Sequence, residues 1–201
     1  MKISLLHKER TEMKHIITIE LIILLIMILA KSVILRRNGI KALKFGSIDK
    51  NALMLILIIG CFVYAALSSV LNLPFPTIAR KPFWSNTILN VIAILICTAS
   101  LVWFGITLKI FGNSFRIGID EKTDNKLIKN GTFALSRNPV FVAFIAFFIG
   151  FFLTYSNMIT LTFLILLMIV VHIQILKEEI FLKKHYGKEY NDYFIKVKRY
   201  I

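Results

Sequence analysis

The sequence predicts an all-α integral membrane protein, with about five transmembrane helices and a C-terminal amphipathic cytoplasmic helical tail. Three observations predict it. Hydrophobic residues make up 57% of the 201 residues, and the mean hydropathy is +0.75. A soluble domain of this length has too small a core to bury so much apolar side chain, whereas a bilayer accepts it at the lipid-facing surface. The apolar residues also gather in runs of about 20, the length that crosses a hydrocarbon layer of roughly 30 Å. Finally, the basic residues that raise the net charge to +14 cluster between those runs.

The first run covers 16–35. Only 21–30 is free of charge, so Glu20 and Lys31 are expected to snorkel towards the two surfaces. The second and third runs, 52–71 and 87–108, carry no charge. The fourth and fifth, 139–155 and 158–176, are separated only by Ser156 and Asn157, which predicts a tight helical hairpin. In the tail, Phe181, Tyr186, Tyr190, Tyr193, Phe194 and Tyr200 are interspersed with lysines. That pattern reads as an interfacial anchor, and Gly187 is expected to divide it into two helices.

Loop charge orients the bundle. Segments 31–51, 109–138 and 177–201 carry net +5, +3 and +3, against +2, +2 and 0 for 1–15, 72–86 and 156–157. The more positive segments belong in the cytoplasm, which puts the N-terminus outside and the C-terminus inside a multi-pass plasma or inner membrane. A pI near 9.9 often marks nucleic-acid binding. Here the basic residues flank membrane runs, so anionic lipid headgroups are the expected partner and nucleic acid is not. Cys61 and Cys97 fall inside apolar runs without metal-ligand spacing. They read as small packing residues, with no disulfide framework and no metal site. Residues 1–15 mix acidic and basic groups, and no small-x-small site follows the first run, so no cleavable leader is expected.

By composition the chain divides into three N-terminal membrane helices (1–108) and a core with the chemically pointed residues (109–201). In the core, Asn138-Pro139 suits a helix start, with Asn as cap and Pro at the first position. Arg137 beside that start reads either as a phosphate-facing snorkel or as part of a site for a carboxylate. Gln174 and Glu178 are four apart and share a helix face. Glu178-Glu179 lies where the last run leaves the membrane. A like-charged acidic pair is unusual there, although a lysine-balanced solvated helix end would also carry it.

These residues carry a resemblance. The order Leu127-Ile128, Gly131, Phe133, Arg137-Asn138-Pro139-Val140-Phe141, Glu178-Glu179 and Tyr186-Gly187-Lys188-Glu189-Tyr190-Asn191-Asp192-Tyr193 resembles the isoprenylcysteine carboxyl methyltransferase family and related membrane phospholipid methyltransferases. Arg116-Ile117-Gly118-Ile119-Asp120 and Lys198-Arg199-Tyr200 are similar to its bacterial-type branch. The resemblance implies an enzyme that uses S-adenosyl-L-methionine without a soluble Rossmann domain and methylates a lipophilic small molecule or lipid entering from the bilayer. By motif position it implies cofactor contacts at Asn125, Lys126, Leu127, Ile128, Phe133, Asn138, Pro139, Val140, Phe141 and Glu178. Phe133 or Phe141 would pack on adenine, the helix start would take the methionyl carboxylate, and Glu178 would take the ammonium or a ribose hydroxyl. Catalytic roles fall to Arg137, Gln174 and Glu179, the last as the nearest general base for a hydroxyl acceptor.

This chain departs from the family pattern at three positions. The usual His is Asn at 125 and at 138, which keeps a donor and an acceptor but does not titrate near neutrality. Gln174 stands where the prenylcysteine enzymes place an Arg that aligns the acceptor carboxylate. Two other functions fit a membrane chain of this kind, a nicotinamide-dependent lipid reductase and a non-enzymatic scaffold. The mid-membrane regions of runs two to five lack acidic or basic side chains to line a transport path, except His172 near one end.

Overall fold

In the computed structural model, the structure describes residues 2–38, 50–76, 81–112 and 127–201, with backbone alone for 2–10 and 52. Every described element is a helix. They are α1 (Lys2–Arg37), α2 (Lys50–Val70), α3 (Thr87–Phe111), the single turn α4 (Thr132–Leu135), α5 (Pro139–Thr154), α6 (Met158–Tyr186) and α7 (Lys188–Lys196). Four of them are long and apolar enough to cross a membrane, through Thr11–Arg37, Leu53–Val70, Thr87–Phe111 and Met158–Tyr186. The protein is an all-α, multi-pass membrane protein.

The fourth expected span is the exception. Helix α5 has 16 residues, about 24 Å at 1.5 Å per residue, short of a full hydrocarbon layer. The architecture is therefore four long helices and one short apolar helix. Pro139 fixes the start of α5. Its hairpin with α6 turns through Tyr155, Ser156 and Asn157. Asn157 and Thr160 form a reciprocal capping box, with Thr160 N donating to Asn157 Oδ1 (3.0 Å) and Asn157 N to Thr160 Oγ1 (3.2 Å). Gly187 ends α6 and precedes α7, as expected. Its φ of 53° is a backbone conformation that glycine adopts without steric cost.

Helix α5 packs chiefly on α3, and also on α6 and α1. The α3–α5 contact is close because Gly150 has no side chain. A Cβ there would lie 2.6 Å from Cys97 Sγ and 3.0 Å from Ala93 O. Phe62, Phe104, Phe147, Phe148 and Phe151 fill the centre, where Phe148 lies 4.4 Å from Phe62 and 5.5 Å from Phe147 between ring centroids. Large apolar side chains such as Ile26, Leu57 and Leu95 point outward, an arrangement that suits a lipid solvent.

Glu20 corrects a second expectation. It does not reach towards a surface. It is 7% exposed, and its Oε1 accepts a hydrogen bond from Thr98 Oγ1 on α3 at 2.5 Å. The polar group is drawn into the helix interface, where Thr98 replaces water at one oxygen and Oε2 has no partner among the described residues.

Candidate functional site

The acidic pair near the end of α6 is split by the helix itself, because consecutive residues point about 100° apart. Glu179 turns to the start of α5 and is 6% exposed. Arg137 donates to its Oε1 from Nε (3.1 Å) and Nη2 (3.0 Å). Arg199 donates to Oε2 from Nη2 (2.8 Å) and Nε (3.1 Å), and Asn138 Nδ2 reaches Oε1 at 3.3 Å. Two guanidinium groups and an amide thus fill the hydrogen-bonding capacity of one carboxylate. The bond to Glu179 holds the Arg199 guanidinium above its ordinary pKa.

The same residues strap the C-terminal tail over the start of α5. Arg137 N donates to Lys198 O (2.9 Å), Ser136 Oγ to Arg199 O (3.1 Å) and Asn138 Nδ2 to Arg199 O (3.2 Å). Arg137 Nη1 donates to Phe194 O (2.7 Å) and Val197 O (3.0 Å), and its guanidinium lies 3.8 Å from the centre of the Phe194 ring. Tyr193 donates to Phe133 O at 2.6 Å, and burial pushes its phenol up to about 12. His172 and Tyr200 are joined at 2.7 Å. Tyr190 and Tyr193 are buried, so this face of α7 packs on protein, contrary to the interfacial-anchor expectation for these two tyrosines.

Asn138 also behaves differently from the simple cap expected of it. It precedes α5, but its side chain makes no capping bond, being turned to Glu179 and Arg199. The N-terminus of α5 is therefore not closed by its own preceding residue, and its backbone donors and dipole still favour an anion.

On the adjoining face of α6, Gln174 Nε2 donates to Glu178 Oε1 at 3.0 Å. Gln174 is 4% exposed, and among the described residues its Oε1 has no hydrogen-bond partner. Tyr190, which packs with Tyr193 and Phe194, buries a phenol oxygen that also lacks one. Such orphaned groups are costly in a finished core and ordinary in a site that awaits a ligand.

The remaining candidates fall around this centre. Asn125 and Lys126 lie outside the described residues. Leu127 and Ile128 are half-buried in the approach to α4. The Phe133 ring is buried and meets Phe111 at 5.0 Å, whereas Phe141 is only partly buried. Pro139 O accepts a bond from Trp103 Nε1 at 2.9 Å, which ties α3 to the start of α5, and Val140 packs against the core. Sequence reasoning assigned no site role to Arg199, Ser136, Tyr190, Tyr193 or Trp103. The available signals were the motif positions of Tyr190, Tyr193 and Arg199 and charge balance, since a carboxylate buried at a helix end needs a cation. Among the described residues, no group of His, Cys, Asp or Glu is placed to hold a metal ion.

Comparison with curated proteins and with solved structures finds no match. The family profile described as phospholipid methyltransferase matches residues 83–189. That stretch takes in α3, α5 and α6 with the Arg137–Glu179 pair. Covering more than half of the 201 residues, it shows that the chain belongs to the phospholipid methyltransferase family of membrane methyltransferases.

Proposed function

We propose that the chain is an S-adenosylmethionine-dependent methyltransferase, similar in its core to the bacterial-type isoprenylcysteine carboxyl methyltransferases, that methylates an amine or hydroxyl on a lipophile held in the bilayer. The observation that carries this reading is the Gln174–Glu178 pair, with its orphaned Oε1, beside the clamped Glu179.

The residues present fit the cofactor. Its carboxylate matches the start of α5, which lacks a side-chain cap. Its ammonium or a ribose hydroxyl matches Glu178, and adenine matches the partly buried Phe141 better than the enclosed Phe133. Asn125, Lys126, Leu127, Ile128, Pro139 and Val140 complete the contacts that the family pattern implies. When bound, the sulfonium supplies an electrophilic methyl group. Arg137, Asn138 and Glu179 act as positioning residues that join α5, α6 and the tail, because the bonds within the clamp occupy both oxygens of Glu179. Holding acceptor and methyl in line supplies much of the rate in such a transfer.

Gln174 supports the acceptor class. Its amide NH₂ is turned to Glu178, which leaves Oε1 buried and without a donor among the described residues. A carboxylate there would set acceptor against acceptor, whereas an N–H or O–H supplies the missing donor. Loop charge supports an N-terminus outside and a C-terminus in the cytoplasm, where the methyl donor is made.

Membranes containing the protein are incubated with methyl-labelled donor, and the lipid extract is treated with mild alkali. The label should enter the lipid fraction and survive alkali, as N-methyl and ether O-methyl groups do. Label lost as methanol, or efficient turnover of a synthetic farnesylcysteine, would overturn the acceptor assignment. No label in lipid or protein above vector membranes would overturn the methyltransferase itself.

A further inference from the structure

Tyr190 and Tyr193 lie three residues apart on the buried face of α7, 1% and 6% exposed, with ring centroids 6.0 Å apart. Tyr193 donates to Phe133 O at 2.6 Å and lies 3.4 Å from Ser136 O, carbonyls of the segment that leads into α5. The Tyr190 hydroxyl is as deeply enclosed and has no hydrogen-bond partner among the described residues. Burial holds its phenol above the ordinary tyrosine range, and the charges of Glu179, Arg137 and Arg199 all act on it. The hydroxyl is therefore a protonated donor beside the clamp at the start of α5. Leaving such a group unpaired costs about 1–3 kcal/mol, and phenylalanine would fill the same space without that cost.

We infer that the Tyr190 hydroxyl binds the methionyl carboxylate of S-adenosylmethionine, donating to it alongside the uncapped N-terminus of α5. The inference rests on the proposed cofactor and adds a binding residue to its site. The groups on offer are all donors: the phenol O–H and the first backbone N–H groups of α5, from which the Asn138 side chain is turned away. Arg137 and Arg199 against Glu179 leave the clamp one positive charge in excess. Among the polar groups of the cofactor, that excess favours the carboxylate over a neutral ribose hydroxyl and repels the ammonium. The ammonium is left to Glu178 on the adjoining face of α6, so the two ends of the amino-acid moiety would be read by two different helices.

Full-length protein in detergent is titrated calorimetrically with S-adenosylmethionine and with its decarboxylated analogue, which keeps the nucleoside, the sulfonium and the ammonium. Tyr190→Phe should bind S-adenosylmethionine about tenfold more weakly than the parent and the decarboxylated analogue equally well. Its unfolding temperature without ligand should be no lower than the parent's, whereas Tyr193→Phe, which removes a bond already made, should lower it. If Tyr190→Phe does not fold, fluorotyrosine in place of Tyr190 reports the same contact, and its fluorine resonance should move with S-adenosylmethionine and not with the analogue. Unchanged S-adenosylmethionine affinity, an equal loss for both ligands, a lower unfolding temperature in Tyr190→Phe, or a fluorine resonance that moves alike with both would each overturn the role of Tyr190 and leave the cofactor assignment standing. A parent protein that binds neither ligand would remove the cofactor assignment and this inference with it.

Discussion

Glu179 is the residue on which the site's architecture turns. Its carboxylate and the Arg137 side chain are both 7% exposed, while Arg199 is 31% exposed. Removing the negative charge leaves Arg137 buried without a counter-ion, and breaking a buried pair from one side typically costs about 3 kcal/mol or more. Glu179→Gln is therefore expected to lower the unfolding temperature in detergent sharply and to abolish methyl transfer. Arg199→Gln keeps the Arg137–Glu179 pair and removes a more exposed partner, so its cost should be smaller, about 1 kcal/mol. Thermal unfolding of the two variants checks the order, and equal stabilities would deny the clamp its structural role. The adjacency of two acids at a helix end was legible in the sequence. Which one faces the α5 start and the tail and which one faces Gln174 was not, because that depends on the rotation of α6 against α5. Arg199 was visible as part of the terminal motif, but its pairing with Glu179 was hidden for a similar reason. It lies 20 residues from Glu179, beyond a glycine break whose direction no local pattern fixes.

Among the elements, α5 shows how far periodicity and turn chemistry carry. Pro139 at its start, the Ser156–Asn157 turn after it and the break at Gly187 were all readable from residues with strong local preferences. Its end was read to within one residue, Tyr155 against Thr154, and at 16 residues the helix is shorter than the four long ones. Tyr190 and Tyr193 were ambiguous, since amphipathicity marks a buried face without saying whether lipid or protein covers it. The tight seat of α5 on α3 gives a test at this scale. Gly150→Ala places a Cβ against Cys97 Sγ and the Ala93 carbonyl. Overpacking of this kind costs about 1–3 kcal/mol, so the variant should unfold several degrees earlier. Because Gly150 lies towards the end of α5 remote from Asn138, the variant should bind S-adenosylmethionine with near-parent affinity at low temperature. An unshifted unfolding temperature would mean that the helices separate at no cost.

For the molecule as a whole, the claim is that one bundle carries a methyl-transfer site at one membrane face, built where the α5 start, the α6 end and the tail converge. In the proposed orientation that face is the cytoplasmic one. A C-terminal fusion to a reporter active only outside the cytoplasm should be silent, and an active reporter would invert the bundle and remove the site from its cofactor supply. The most direct test is calorimetric titration of the detergent-purified protein and of Glu178→Gln with S-adenosylmethionine, with NADPH as the competing cofactor. The account predicts saturable binding of S-adenosylmethionine, none of NADPH, and a loss of about tenfold or about 1.4 kcal/mol in the variant with its size-exclusion profile unchanged. Binding of NADPH in place of S-adenosylmethionine, or equal S-adenosylmethionine affinity in parent and variant, would contradict it.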